Sequence, residues 1–426
     1  MYYFVTTLFV LMCSAANFMS LQEIFIYISS FIFILAGVEY KRFRESDFRL
    51  LANISIIYIG YMTLRYFFLN HIPISYYVSD LHFFVQRIFF SLLFCAVLKE
   101  KAIYYLSRVI YYGACISLFF YALQMINGDV VYMLGKLIGL PPRIYGATDY
   151  VNFLIFTYDK GHAHQNDGFM WEPGAYGAML NIGLLLYFLL NKFVLDKRVY
   201  VFIIAIITTL STTSYLVLMV IMLLYYRYNG GKIAKFVIFG IPVLVIAFFK
   251  LPFLIDKIQY VWESDQESIA NIGYLSTFYS DNKTMIPLNR FGSVTFLYNT
   301  FGYKLIWGVS NAYMSLDPIL SNVNISNGDI DFITKFGVVG FVFYIYRYVL
   351  FLKGLLANNA EYIFYCVLII FLLAFGEPIL IFSSSLTLLF LYHYVKPEEM
   401  PDDYEPVINE DGEEEEFDPY YLINTP

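Results

Sequence analysis

Long apolar runs recur from residue 2 to residue 395, and they constrain what the chain can fold into more than any other feature. A helix needs about 20 apolar residues to cross the hydrocarbon core of a bilayer. Charged residues make up only 14% of the chain, against about 25% in soluble domains. The sequence therefore predicts an all-α polytopic membrane protein. Runs near the spanning length occupy ten stretches, 2–18, 21–39, 50–69, 81–98, 104–125, 172–191, 233–250, 331–352, 361–377 and 379–395.

The stretch 199–227 is long for one span and short for two. Basic residues flank it on both sides, and loops rich in Lys and Arg stay on the cytoplasmic side. Both flanks on one side require two short helices joined by a turn, which the polar sequence TTLSTTSYL at 208–216 can supply. Adding this pair to the ten runs gives about twelve transmembrane helices, with both termini cytoplasmic. The flanking basic residues are Lys192, Lys197, Arg198, Arg227, Lys232 and Lys235.

This topology defines a membrane domain at 1–395 and leaves two large loops on the outer side, at about 126–171 and 251–330. Their low charge and scattered aromatic residues predict short amphipathic helices that pack against the membrane. Residues 396–426 hold twelve Asp and Glu and one Lys, a charge of -11, so the rest of the chain is +4 when the whole is -7. Such a segment cannot bury enough apolar area to offset its ordering entropy. We expect a disordered acidic cytoplasmic tail.

The string HAHQNDGFMWEPGAYGAML at 162–180 marks an abrupt change from a polar outer loop to an apolar span. Glu172 stands at the first turn, where it can face the positive end of the helix dipole or act as a general base at the membrane entrance. His162 and His164 are spaced as in a metal site, but no further ligand follows at a convincing spacing, so no metal is expected. His164 is a second candidate base or substrate contact.

The segment NISNGDIDFITKFGVVG at 324–340 repeats this change from loop to span. It places Asp329 and Asp331 just above the membrane. Either aspartate can cap the helix N-terminus, and Asp329 is the third candidate base.

Four arginines are candidates for binding an anion. Arg65 and Arg87 lie in apolar sequence near the outer ends of consecutive spans, where snorkelling explains either one alone. As a pair they could bind phosphate, because the guanidinium fork matches phosphate oxygens. Arg143 and Arg290 lie in the outer loops and are either solvated or available for phosphate and sugar hydroxyls.

Other classes of site find no support in the sequence. The chain has no Walker loop, no dinucleotide fingerprint and no basic nucleic-acid face. We therefore expect neither a cofactor nor a nucleic-acid partner. The four cysteines stand singly in apolar stretches, without the paired spacing of a metal site or a disulfide framework, and should serve packing alone.

The strings DGFMWEPGAYGAML, TTLSTTSYL, LIWGVSN and NISNGDIDFITKFGVVG, in that order, resemble the landmarks of the O-antigen polymerase and O-antigen ligase superfamily of bacterial envelope proteins. The resemblance covers roughly residues 165–395. It implies a GT-C-like, metal-independent glycosyltransferase of the bacterial inner membrane. Such an enzyme acts on the outer side on oligosaccharide units carried by undecaprenyl diphosphate in the bilayer. A chain-length regulator and a flippase are the candidate protein partners.

Within this superfamily, ligases carry a loop histidine followed by Asn just before a span. Here the corresponding residues are Ser326 and Asn327, which favours a polymerase. The chain also departs from the polymerase pattern, because Gln165 stands where many members have Arg, and Gly302 follows Arg290 one position late. The alternatives are an O-antigen ligase and a flippase or transporter of lipid-linked oligosaccharides. Transporters are usually built from related halves, and the two long outer loops break any such symmetry.

The resemblance gives the candidate residues their roles. Glu172, His164 and Asp329, in that order, are expected to act as the base near the acceptor sugar. Arg65, Arg87, Arg143 and Arg290 are expected to bind the substrate diphosphate and stabilise its charge.

Overall fold

The computed structural model describes residues 1–69, 73–138, 150–231, 263–275, 285–316 and 318–395. Most of these residues are helical. Helices of seven or more residues are α1 (Tyr2–Cys13), α2 (Glu23–Glu39), α3 (Glu45–Leu64), α4 (Ile74–Phe83), α5 (Phe90–Leu98), α6 (Ala102–Ile126), α7 (Gly128–Ile138), α8 (Pro173–Leu190), α9 (Lys197–Thr208), α10 (Thr212–Tyr228), α11 (263–270), α12 (Arg290–Phe301), α13 (Gly328–Leu355), α14 (Ala360–Gly376) and α15 (Leu388–Tyr394).

Four helical runs in the described chain are long and apolar enough to cross a membrane. The fold is thus that of a helical membrane protein, as the hydropathy predicts. Shorter apolar helices are α1 and α14, and the predicted span 233–250 lies outside the described residues. The number twelve therefore stays a prediction. The four runs are Glu45–Leu69, Ile74–Ile126, Pro173–Leu190 and Gly328–Leu355.

Helix α8 is the centre of the bundle. Of its residues, 89% are buried, and it packs against α6, α9 and α10. Glycines allow these close approaches, because a Cβ at Gly177 would collide with the Ser214 side chain and a Cβ at Gly183 with that of Ile110. The sequence 162–180, which runs into α8, is therefore anchored to the most buried of the four long helical runs.

The predicted pair of helices in 199–227 is confirmed. Helix α9 ends at Thr208 and α10 begins at Thr212, where the Ser211 side chain caps the new helix by accepting from the Ser214 N–H. At the opposite end, the Asn229 side chain donates to the Phe193 carbonyl. The flanks of the two helices thus lie side by side, as the basic residues on both flanks predicted.

Two predicted spans are wrong in their extent. The run 2–18 ends as helix at Cys13, because the Asn17 side chain donates to the Leu11 carbonyl and accepts from the Ser20 N–H, and so closes the turn that leads into the short helix Phe18–Leu21. The run 379–395 consists of a 3-10 turn, the short helix Ser383–Leu386 and α15. Polar residues with local hydrogen bonds interrupt both runs, although their hydropathy is that of a span.

The two arginines predicted within spans both lie on π-helical turns. The segment Arg65–Leu69 continues α3 with π geometry, and Phe84–Phe89 joins α4 to α5 in the same way. A π-turn inserts an extra residue into a helix and is frequent at functional sites. Each arginine thus lies where its helix is locally irregular.

Helix α13 is broken near its start. Gly337 has φ 77 and ψ 166, so Gly328–Phe336 and 338–355 are two helical pieces rather than the continuous span predicted for 331–352. The segment around Gly308, also at positive φ, packs onto the break so closely that a Cβ on either glycine would collide with the backbone of the other segment. The break therefore needs glycine at both positions.

Donors from other parts of the chain satisfy the carbonyls at this break. The Val309 N–H donates to the Thr334 carbonyl at 2.6 Å. The Arg65 guanidinium donates to the Lys335 carbonyl at 2.7 Å, and the Tyr61 hydroxyl to that of Phe336 at 3.0 Å. Helix α3 thus caps the first piece of α13, which satisfies backbone groups that would otherwise be costly to leave unpaired in an apolar setting.

The long loop segments contain four short strands as well as helices, in a described chain that is otherwise mostly helical, as the all-α prediction expects. Strands β1 (Tyr150–Asn152) and β2 (Thr157–Asp159) form an antiparallel hairpin, and β3 (Ile286–Leu288) pairs in parallel with β4 (Val323–Ile325). Extended segments that fold back in this way use each other to satisfy buried backbone N–H and C=O groups.

Helix α7 is the clearest of the expected amphipathic helices. Val131 and Gly135 face the hairpin, where a Cβ at Gly135 would crowd Val151. The opposite face is apolar and exposed, and Leu137 is 83% accessible. This face continues the exposed apolar end of α6 at Ile126, which Asn127 alone separates from the start of α7. The other exposed apolar residues of this face are Val130, Met133 and Leu134.

We predict that α7 lies in the bilayer surface with this face toward lipid. The measurement is the accessibility of a nitroxide spin label to two relaxation reagents in nanodiscs. A label at Leu137→Cys should be more accessible to oxygen, which concentrates in lipid, and one at Lys136→Cys to a water-soluble nickel chelate. The two positions lie about 100° apart around the helix. Cys115, which is only half-buried, is first replaced by Ser. Equal nickel access at both positions, or exclusion of both reagents from residue 137, contradicts the prediction.

Candidate functional site

Two Glu-Pro dipeptides meet at the ends of two apolar helices. Glu172 precedes Pro173 at the start of α8, and Glu377 follows α14 and precedes Pro378. A residue before proline is excluded from helical geometry, and both glutamates are extended, with φ -159 and ψ 160 at Glu172 and φ -146 and ψ 147 at Glu377. Proline thus places each carboxyl just outside its helix.

The two carboxyls lie against each other within hydrogen-bonding reach. Glu377 is only 9% exposed. Gly174 makes room for it, since a Cβ there would collide with the Glu377 Oε1 atom. On the other side, the Trp171 indole N–H donates to the Glu172 Oε1 atom at 2.6 Å. Glu172 is the N-cap residue of α8, but its side chain makes no hydrogen bond to the helix N-terminus, and the carboxyl is turned to its partner.

Arg290 joins this pair from the first position of α12. One guanidinium nitrogen lies 3.8 Å from the Glu377 Oε1 atom, and the guanidinium also donates to the Gly376 carbonyl at 3.1 and 3.2 Å. Asp265 and Asn289 hold the start of α12 by accepting from backbone N–H groups. The Arg290 side chain remains 37% exposed, so it can still contact a ligand. We call Glu172, Glu377 and Arg290 the carboxyl–arginine site.

The first piece of α13 forms the adjoining wall. The Asn327 side chain donates to the Arg290 carbonyl at 3.2 Å, and a Cβ at Gly328 would collide with the Glu377 carbonyl. Asn327 is also the helix cap, because it accepts from the N–H groups of Asp329 and Ile330. The expected capping by aspartate is thus wrong. Asp329 is 7% exposed, and within the described part of the chain neither of its carboxyl oxygens accepts a hydrogen bond.

Arg87 borders the site through an aromatic pair. Its guanidinium carbon lies 5.8 Å from the centre of the Phe382 ring, which lies 5.2 Å from the Trp171 ring. Among the described residues its guanidinium has no carboxylate partner within 4 Å. A half-buried, unpaired cation next to a tryptophan that holds Glu172 is available to an anionic ligand.

Arg65 is placed differently, inside the protein. It is 1% exposed and forms an ion pair with Asp80, in addition to its bond to the Lys335 carbonyl. Asp80 also accepts from the Tyr66 hydroxyl at 2.9 Å and the Asn311 N–H at 2.6 Å. Two of the three guanidinium nitrogens are therefore engaged, and the predicted role of Arg65 in binding diphosphate gains no support from its contacts.

The remaining candidates lie away from the site or outside the description. His164 is exposed, and its carbonyl accepts from the Tyr121 hydroxyl at 3.1 Å. Arg143 lies outside the described residues. Where the chain is described, no three His, Cys, Asp or Glu side chains gather as metal ligands. The structure thus brings Glu172 and Arg290 together around Glu377. Arg87 borders them through Phe382 and Trp171, and Asp329 lies two residues along α13 from Asn327.

The loop that leads to Glu172 contains a half-buried histidine next to a buried aspartate. His162 Nδ1 lies 3.8 Å from Asp167 Oδ1. Burial raises the pKa of Asp167 to about 7, despite the opposing effect of His162. Contact with Asp167 raises the pKa of His162. The Asp167 carbonyl accepts from the Met170 N–H at 3.0 Å, so the protonation of this pair bears on the approach to Trp171 and Glu172.

The sequence-based prediction missed Glu377. The available signal was the repeated dipeptide, WEPG at 171–174 and GEP at 376–378, each with a glycine next to the glutamate or proline. Hydropathy placed Glu377 at the end of a span and gave it no role. Its importance appears only when Gly174 and Arg290 are seen beside it.

The fold and the site define the class: a helical membrane protein that gathers carboxyls and a guanidinium where its loops meet the ends of its helices. Comparison with protein-family models, with curated proteins and with solved structures finds no match for the chain. What the protein does is therefore inferred from the geometry of the site together with the sequence resemblance.

We predict that the loop 160–171 loses protection as pH rises from about 4 to 8. The folded state keeps a proton on Asp167 up to about pH 7, whereas an ordinary carboxyl releases it near 3.8. The folded state thus binds more protons, and its stability falls as pH rises through this window; the raised pKa of His162 acts in the same direction. Hydrogen exchange of the Asn166 amide, which donates to Thr208, measures the effect after correction for intrinsic rates. Asp167→Asn should remove the pH dependence, and an unchanged dependence contradicts the assignment.

We predict that Arg65→Met lowers the free energy of unfolding by about 3 kcal/mol or more, because a buried pair broken on one side leaves an uncompensated charge. Thermal unfolding in detergent measures the loss. The double variant Arg65→Met with Asp80→Asn should recover much of it, since Asn can still accept from Tyr66. If the double variant is as unstable as the single one, Arg65 acts chiefly on the carbonyls of α13 and not through Asp80.

Proposed function

We propose that the protein is a polymerase that joins oligosaccharide repeat units, carried by undecaprenyl diphosphate, into a surface polysaccharide such as an O-antigen, capsule or exopolysaccharide. It would act on the outer side of the bacterial inner membrane as a metal-independent, GT-C-like glycosyltransferase. The observation that carries the proposal is the carboxyl–arginine site. Glu172 comes from a string that carries the family resemblance and Arg290 from the first position of α12, and both contact the buried carboxyl of Glu377.

The reaction needs a base and a cation. A hydroxyl on the terminal sugar of one unit attacks the anomeric carbon of a second chain, and the bond from that carbon to the diphosphate oxygen breaks. The hydroxyl proton passes to Glu172, and the lipid diphosphate leaves with the bonding electron pair. Arg290 and Arg87 are placed to stabilise its charge. Because the diphosphate is already a good leaving group, positioning contributes as much as proton removal.

The depth of the site suits a substrate held by a lipid. Both glutamates stand at the ends of apolar helices, next to the outer-loop helix α12. The diphosphate of a lipid carrier lies at the membrane surface. The ends of membrane-spanning helices lie at the same depth. In the proposed topology, about twelve spans hold both termini in the cytoplasm. The loops then form the outer face, where a flippase would deliver units and a chain-length regulator would contact the growing polymer.

One observation favours the alternative of a lipid-linked oligosaccharide flippase or transporter. The break at Gly337 makes α13 a discontinuous membrane helix, and such helices form the substrate sites of many transporters. An O-antigen ligase is disfavoured by Ser326, which stands where the ligases carry histidine. We rank the polymerase first because the carboxyl pair offers a proton acceptor, which transport does not need.

We predict that Glu172→Gln and Arg290→Ala each reduce polymer formation by roughly 100-fold, with the protein still present in the membrane. Gel electrophoresis of surface glycan from a complemented deletion strain measures the ladder. Arg49→Gln is the matched control, since its side chain is 72% exposed and, among the described residues, pairs with Glu45 alone at the far end of α3. A normal ladder from both site variants contradicts the site assignment.

The lipid-linked intermediates of the deletion strain separate the functions. A polymerase predicts surface lipid capped with one repeat unit and no long ladder. Loss of all capping, with polymer accumulating on undecaprenyl diphosphate, would identify a ligase. Single units trapped on the cytoplasmic leaflet would identify a flippase.

A further inference from the structure

Glu377 is held in a position that is unfavourable for an ionised carboxyl. It lies at the C-terminus of α14, where the helix dipole is negative, and it is largely buried and in contact with a second carboxyl. The Arg290 guanidinium lies 3.8 Å from the Glu377 Oε1 atom and donates its hydrogen bonds to the Gly376 carbonyl instead. A structural hydrogen bond to Glu172 would be made at lower cost by glutamine.

Two carboxyls in contact cannot both ionise without a large penalty, so such a pair holds one proton between its members. The proton forms the hydrogen bond that joins Glu377 to Glu172, while the remaining negative charge can stand on Glu172 beside the Trp171 N–H. A single carboxylate that is ready to accept a proton, with its orientation fixed by its partner, is what the proposed reaction needs from its base.

We propose that Glu377 is a positioning residue that stores one proton and thereby holds Glu172 ionised and correctly oriented toward the acceptor hydroxyl. This inference rests on the proposed function and deepens it. In the reaction the hydroxyl proton moves to Glu172 as the new glycosidic bond forms and the bond to the diphosphate breaks. The pair then carries two protons, and one returns to the outer solution before the next cycle.

The surroundings define which groups set the proton occupancy of the pair. Helix α8 contributes Glu172 itself at its cap, and α12 contributes the Arg290 guanidinium. The wall formed by α13 carries Asp329, two residues from the Asn327 amide that touches Arg290. From α10, Thr213 packs against Gly376 without adding charge. As pH rises, the doubly protonated pair should lose its other proton first and the stored proton second, because the stored proton lies between the two carboxyls.

The proposal predicts two limbs in the pH profile of polymerisation. The rate should rise as the pair loses its first proton and fall as it loses the stored one. Purified full-length protein in nanodiscs is supplied with undecaprenyl-diphosphate-linked repeat units extracted from the deletion strain, and product length is followed. Glu377→Gln should abolish the falling limb and leave a single rise, because only one titrating carboxyl remains. A Glu377→Gln profile that keeps both limbs overturns the proposal.

A measurement without substrate keeps the test independent of the function. Infrared difference spectra of the unaltered protein against Glu172→Gln, recorded across pH 4 to 9, should show the pair deprotonating in two separated steps. Glu377→Asp, which retains a carboxyl, should keep two steps if Glu377→Gln fails to fold. A single step overturns the shared proton. Two steps in a protein that forms no polymer would support the pair while rejecting the polymerase.

Discussion

The break in α13 depends on hydrogen bonds from other elements, and one wall of the carboxyl–arginine site depends on that break. A helix interrupted at Gly337 leaves carbonyls that no water in the hydrocarbon core could satisfy. Tyr61, Arg65 and Val309 satisfy them. Because these donors come from α3 and from the segment after α12, they fix the first piece of α13 relative to both. That piece carries Asn327, which contacts Arg290 and so forms one wall of the site.

Among the clusters of buried charge in the described residues, the one around Asp80 and the carboxyl–arginine site differ in how their groups are paired. Around Asp80, nearly every polar group has a partner, including Arg65, Tyr66, Ser310 and Asn311. Breaking such a cluster costs several kcal/mol, and its completeness is that of a structural joint. At the carboxyl–arginine site, by contrast, two carboxyls are in contact. Asp329, on the helix that forms one wall, has two buried oxygens that accept from no donor in the described part of the chain. Unsatisfied groups of this kind need a reason, and a ligand with hydroxyls and a diphosphate supplies one.

Sequence reasoning reached what hydropathy and local charge determine, and missed what distant contacts determine. The α9–α10 pair followed from basic flanks and a polar turn, and the start of α8 followed from a proline at its first turn. Arg65 and Arg87 could not be told apart, since both are arginines in apolar sequence; the difference is Asp80, fifteen residues from Arg65, which pairs with one and not the other. Glu377 meets Glu172 across about two hundred residues, a contact that no local pattern encodes. The break at Gly337 was equally hidden, because glycines are common in unbroken membrane helices.

The manner in which the break is satisfied also bears on the choice between enzyme and transporter. A helix that rocks or unwinds during transport needs carbonyls that can exchange partners at little cost. Here the three carbonyls before Gly337 each have a donor from another element, and the glycine backbones at 308 and 337 touch without room for a Cβ. Moving the two pieces of α13 apart would break these three hydrogen bonds at once. The Arg65 guanidinium would then lose its carbonyl acceptor. A break closed in this way is suited to hold Asn327 and Asp329 at a fixed distance from the carboxyl pair. Fixed geometry serves a reaction that depends on positioning more than a cycle that depends on movement, and for that reason the discontinuous helix is compatible with the polymerase as well as with the transporter.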